Sequence, residues 1–320
     1  MKNSRSCAQL DREAGHRLPV SHSRMYSTFI NGTRLAYSMN PAPSGAPILV
    51  YLHGGPGGAC IPLTQRYNAA LERHFRFINI DQRGCGLSYY PFPPQESITI
   101  ELMLADMVAF VRRLRRVYPQ APITLLGHSW GSVLGLEFAK RYPELIKRFI
   151  GVGQVVDMSA SHQARLHPVL EVFPSWLRQS FGSESALADG LLRVEELKAL
   201  GLIRSLMQEI NRSVTYLSSP YYRWRGIKGL LIGANQSHAR LDKELDQVDF
   251  SNIHSFEVPV AFLEGRYDRH LPPELVEHYA SQLKSEHKFV WFEHSAHCPQ
   301  WEEPTRFVAV VEELCHEDFN

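Results

Sequence analysis

The stretch ITLLGHSWGSVLGLEFAKRYP, residues 123–143, joins a short apolar run to a helical pattern through a serine flanked by glycines. Ile123 to Gly127 has the continuous apolar character of a strand buried on both faces. Ser132 to Arg141 reads as a helix that stops before Tyr142-Pro143. Between them lies Gly127-His128-Ser129-Trp130-Gly131. A sharp strand-to-helix turn needs small residues on both sides and lifts the serine hydroxyl to the top of a sheet. Ser129 is therefore the candidate nucleophile; the competing possibility is that it merely caps the helix.

Working outward, strands are expected at Tyr26 to Ile30, Arg34 to Ser38, Ile48 to His53, Phe75 to Ile80 and Phe149 to Val152, with an amphipathic helix over Ile98 to Tyr118. The arginines of that helix, Arg112, Arg113, Arg115 and Arg116, are expected on a solvated face. From about Met158 to Phe250 the pattern becomes helical without an evident buried strand. Strand and helix then alternate again through Val258 to Leu263, Pro273 to Leu283, Lys288 to Phe292 and Pro304 to Leu314. Such alternation predicts an α/β fold, a mostly parallel doubly wound sheet, since parallel neighbours need crossover connections. The expected organisation is a loose tail over 1–24, a core over 25–157, a helical cap over 158–250 inserted after the sixth strand, and the rest of the core over 251–320. Aromatic residues of the cap, Trp176, Tyr221, Tyr222 and Trp224, are expected to be ordinary core.

Composition fits one large globular domain with an insert: 320 residues, 44% hydrophobic and 21% charged. Thirty-four Lys plus Arg against thirty-three Asp plus Glu leave a formal charge of +1, which argues against nucleic acid as a partner. No run approaches the ~20 apolar residues of a membrane span, and residues 1–24 lack the apolar core of a secretory signal. The five cysteines are odd in number, widely spaced and free of any C-x-x-C pair, so a reducing, cytoplasmic setting is expected.

A serine needs a base, and the base needs an acid to hold its tautomer. Asp268, in the turn after Val258 to Leu263, and His297, after Lys288 to Phe292, both fall at carboxyl ends of expected strands, where open sheets place their sites. Asp157 is a rival acid and His294 a rival base. His294-x-x-His297 also has metal-ligand spacing, but no third ligand motif accompanies it. Oxyanion donors are expected from the Gly55 amide in His53-Gly-Gly-Pro-Gly57 and the Trp130 amide after the serine. No Lys-Ser/Thr pair follows those glycines, as a phosphate loop would require. In Asp81-Gln-Arg-Gly-Cys-Gly-Leu-Ser88, Asp81 and Arg83 are expected to pair and lock a turn.

Together HGGPG at 53–57, DQRGCGLS at 81–88, GHSWGS at 127–132, GRYD at 265–268 and SAHCPQWEEP at 295–304 resemble the proline iminopeptidases among the α/β-hydrolases, over about Tyr26 to Leu314. The resemblance implies a helical cap over the sheet and a triad of Ser129, Asp268 and His297, with His297 rather than His294 as base. It implies an oxyanion hole at Gly55 and Trp130, no metal or organic cofactor, and release of an N-terminal residue, preferably proline, from a small peptide or amide. Some members carry a glutamate directly after the catalytic aspartate, where this chain has Arg269. A substrate amine would need a carboxylate, for which Glu209 in the cap and Glu264 beside the aspartate turn are the leading candidates; Glu302 and Glu303 are others. Arg269 keeps two alternatives open: an esterase or lactonase acting on a small ester or acidic amide, and a non-catalytic binding protein on the same fold.

Overall fold

The computed structural model describes residues 19–172 and 184–316. Eight strands form one sheet: β1 (Arg24–Ile30), β2 (Thr33–Met39), β3 (Ile48–Leu52), β4 (Arg76–Asp81), β5 (Ile123–His128), β6 (Arg148–Val152), β7 (Val260–Gly265) and β8 (His287–Phe292). Their spatial order is β1-β2-β4-β3-β5-β6-β7-β8. The two N-terminal strands pair antiparallel, with β2 also antiparallel to β4, and β3 to β8 are mutually parallel. Every residue of β3, β4, β5, β6 and β7 is buried, whereas β1 alternates as an edge strand does.

Alternate side chains of the strands feed two cores. Val50, Leu52, Ile78 and Leu125 pack on one face with α2 (Ile100–Val117) and α3 (Trp130–Arg141). Leu49, Tyr51, Phe77 and Leu126 pack on the other with α1 (Ile61–Tyr67) and, after the insert and α8 (Pro273–Gln282), with α9 (Pro304–His316). Thr99 caps α2 by accepting the Leu102 N–H at 3.1 Å. Arg112, Arg113 and Arg116 on that helix are exposed, while Arg115 donates to the Leu145 carbonyl.

The chain leaves β3 toward β4 on one side and leaves β5 toward β6 on the other, so the strand order reverses between β3 and β5. The turns after these strands therefore meet at a topological switch point. Between β6 and β7 run α4 (Met158–Val172), α5 (Glu184–Leu200), α6 (Leu202–Ser218) and α7 (Trp224–Leu245). The ends of this insert meet at a neck, where Met158 N–H bonds the Val248 carbonyl and Phe250 N–H the Val156 carbonyl. Glycines 226, 229 and 233 let α7 press onto the turn after β4; a Cβ on Gly229 would stand 1.9 Å from the Gly86 carbonyl.

Several expectations change in detail. Residues 1–18 of the expected tail lie outside the described residues, and its last part is held, His22 N–H and Ser23 Oγ–H donating to Glu72 at 2.7 and 2.8 Å. Trp176 also lies outside the described residues. Tyr222 is core, but Tyr221 and Trp224 are exposed, because the side of α7 that packs inward is its glycine stripe. Among the described residues no helix is long and apolar enough to cross a membrane.

Candidate active site

The turn after β5 is shaped by backbone contact. A Cβ on Gly131 would lie 2.1 Å from the Leu52 carbonyl, and one on Gly127 would lie 2.3 Å from the Gly131 carbonyl. Glycine at both positions lets α3 start immediately after the strand. Ser129 is left at φ 52°, a region side-chain-bearing residues seldom occupy, and its N–H is anchored on the Val152 carbonyl at 2.9 Å. Its side chain makes no cap hydrogen bond, so capping does not account for it.

Asp268 follows β7 and is fully buried. Its Oδ1 accepts the His270 and Leu271 N–H groups at 2.8 and 2.9 Å, and its Oδ2 faces His297 Nδ1 at 2.7 Å. The imidazole is packed against His128 and His270, with ring centroids 4.9 and 4.7 Å away, and against Gly153, the residue after the one that anchors Ser129. His128 Nε2 and the His297 carbonyl, 2.9 Å apart, tie the two turns together. Burial favours the neutral form of each group: it pushes Asp268 up to about 6 and, with the positive Arg212 and Arg165, pulls His297 down to about 4. At neutral pH the pair is a carboxylate and a neutral imidazole whose Nδ1–H is held by Asp268, which leaves Nε2 as an acceptor.

The rivals stand elsewhere. His294 is exposed, and its backbone N–H donates to Glu303. Asp157 accepts the Ala160 N–H at 2.9 Å, capping the start of α4. Cys60 and Cys85 are buried and Cys298 is half-buried, and desolvation pushes each thiol up and away from thiolate reactivity.

The turn after β3 reaches the same point. A Cβ on Gly54 would be 3.2 Å from Ser129 Cβ, and Gly55 has φ 118°. Gln82 braces this turn and the helix start together: its Nε2 donates to the His53 carbonyl at 2.9 Å, and its Oε1 accepts Trp130 Nε1–H at 2.8 Å. Trp130 opens α3, so its backbone N–H has no acceptor within the helix. The expected Asp81–Arg83 pair is not formed. Arg83 instead clamps Asp106 through two nitrogens at 2.7 and 2.9 Å, and Asp81 takes the Tyr222 hydroxyl of the cap at 2.5 Å. Burial raises Asp81 to about 7.

A serine turn, an aspartate-held imidazole and a glycine turn thus converge at the switch point of a capped α/β sheet. The model of the alpha/beta hydrolase fold matches residues 47–304. The chain belongs to the alpha/beta hydrolase fold family. This hydrolase is 29% identical over 291 residues to a probable aminopeptidase of Bacillus subtilis, covering 87% of this chain and 92% of the relative. It is 25% identical over 285 residues to the proline iminopeptidase of Heyndrickxia coagulans, covering 88% and 95%. The fold of the proline iminopeptidase of Mycobacterium smegmatis superposes with a TM-score of 0.64 at 19% identity, covering 92% of this chain and 98% of that one.

The two carboxylates expected to receive an amine do not line the cavity beside His297. Glu264 is fully buried at the end of β7, where its Oε1 accepts the Gln154 N–H at 2.9 Å. Glu209 sits half-exposed on α6, paired with Arg193 and Arg212 at 3.0 and 3.2 Å. Among the described residues, the carboxylates that do line it are Glu302 and Glu196. Glu196 belongs to a charged helix without motif spacing, so no sequence signal marks it.

Proposed function

We propose that this protein is a serine hydrolase that works through an acyl-enzyme on Ser129 and releases an N-terminal residue, preferably proline, from small peptides or amides. The observation that carries the reading is the 2.7 Å contact between His297 Nδ1 and buried Asp268, beside a serine held at φ 52° on its turn. His297 Nε2 takes the proton as Ser129 Oγ bonds the substrate carbonyl carbon. The carbonyl oxygen takes up the electron pair and meets the N–H groups of Gly55 and Trp130. The proton then passes from Nε2 to the leaving amine or alcohol as its bond to carbon breaks. Water repeats the cycle, its proton going to Nε2 and then back to Ser129 as the acid departs. A cytoplasmic setting belongs to the same proposal, supported by Cys60 and Cys85 as buried free thiols.

The names of the relatives support the N-terminal reading, whereas the arginines around the cavity favour a small ester or acidic amide. Comparing kcat/KM for prolyl 4-nitroanilide, its N-acetyl derivative and 4-nitrophenyl acetate separates the two. The free-amine compound leads if the N-terminal reading holds. Preference for the blocked or ester compound moves the function to an esterase.

A further inference from the structure

The cavity that opens onto His297 has a volume of about 460 Å³, suited to a small molecule. Among the described residues four guanidinium groups line it, on Arg165, Arg193, Arg212 and Arg269, with the carboxylates Glu196 and Glu302. Both carboxylates are already engaged. Glu196 accepts the Arg269 backbone N–H at 3.1 Å and pairs with Arg193 at 3.1 Å. Glu302 accepts the Ala296 N–H at 2.7 Å and pairs with Arg212 at 3.2 Å. Burial pushes both upward, and the neighbouring arginines and backbone N–H groups oppose it. Farther out, Glu209 pairs with Arg193 and Arg212, and Glu195 lies 3.9 Å from Arg269 Nε. These carboxylates orient the arginines. Arg269, directly after Asp268, is 41% exposed, and that 3.9 Å contact is long for an ion pair.

Resting on the serine-hydrolase reading of this same site, we propose that the substrate is a small ester or amide carrying a free carboxylate near its scissile bond, received by Arg269 and Arg212. Among the described lining residues both carboxylates are already paired, whereas Arg269 keeps a half-exposed guanidinium with one long contact. A carboxylate meets planar donors with five N–H groups each, able to grip both of its oxygens. The field at the imidazole agrees with this. Burial first, and then Arg212 and Arg165, make His297 a weaker base, and a bound anion offsets the part that comes from the arginines.

Two matched pairs of aryl esters test the proposal. The first carries the carboxylate on the acyl part, 4-nitrophenyl hydrogen glutarate against its methyl ester. The second carries it on the leaving part, 3-carboxyphenyl butyrate against 3-carbamoylphenyl butyrate. In at least one pair the anionic member is expected to have a kcat/KM about tenfold or more above the neutral one, the span of one charge-assisted contact. Arg269→Gln should bring that ratio close to one through KM, Arg269→Lys should keep most of it, and Arg269→Glu should invert it. If the neutral member is equal or better in both pairs, or if the ratio survives Arg269→Gln, the proposal is overturned while the hydrolase reading stands. If no ester is turned over in a Ser129-dependent way, the hydrolase reading itself fails.

Discussion

The turns at the carboxyl ends of β3, β5, β7 and β8 are held by buried backbone, whereas the cap above them is organised by charge. At the sheet, Gly131 touches the Leu52 carbonyl, Ser129 hangs from Val152 and Asp268 is fixed by two amides of its own turn. In the cap, the side of α6 that packs inward carries Ser205, Arg212 and Thr215, while Leu202, Ile203, Met207, Ile210, Val214 and Leu217 lie exposed. Reaction chemistry needs atoms held in a fixed geometry, and backbone contacts give it. Substrate choice needs only charge and shape, and exchangeable side chains are enough for that. Substitutions of the buried groups at the sheet should therefore affect every substrate alike, and those of the charged groups facing the cavity, in the cap and at Arg269, should change the ranking of substrates.

The largest expected effect is that of Ser129→Ala, a fall in kcat of roughly 10⁴- to 10⁶-fold on all esters and amides, with the thermal midpoint nearly unchanged. Asp268→Asn should follow with about 10³- to 10⁴-fold, while Asp157→Asn stays within about twofold because that side chain only caps α4. The reverse pattern in steady-state kinetics would move the acid to Asp157. Tyr222→Phe removes the hydroxyl that ties the cap to buried Asp81, and should cost about 1–3 kcal/mol in chemical denaturation.

The pH profile bears on the junction of the two regions. In the proposed mechanism the working form has Asp268 charged and His297 neutral, so protonating either group should lower the rate. With Asp268 raised to about 6 and His297 lowered to about 4, kcat/KM on a neutral ester should be flat near neutrality and fall as pH drops from about 6 toward 4. Arg212→Gln removes a positive neighbour and should raise the imidazole, shifting the acid limb upward. The smallest effect belongs to the outer face of α6: Ile210→Ser should change stability by less than about 0.5 kcal/mol and leave kcat/KM unchanged.

The same division explains what could be foreseen from the chain. Glycines at 55, 127 and 131 are demanded by close backbone approach, so the serine turn and the glycine turn are visible in one sequence. The placing of Asp268 and His297 follows from strand ends. Partnerships made across distance leave no local spacing: Arg83 reaches Asp106, 23 residues on, and Asp81 reaches Tyr222, 141 residues on. Glu264 looked available because it precedes the aspartate turn, yet it is still part of β7, paired in register with Trp291, and faces no solvent. Arg269 was visible as an unusual neighbour of the aspartate, but the cap carboxylates around it were not. A stripe of small residues on α7, at 226, 229 and 233, is a usable signal for the contact with the turn after β4.

The most direct measurement is intact-protein and peptide mass analysis after treatment with a fluorophosphonate. One adduct, on the peptide containing Ser129, absent in Ser129→Ala and slowed in His297→Ala, is the predicted result. An unlabelled wild-type protein, or an adduct that persists in Ser129→Ala, would contradict the account.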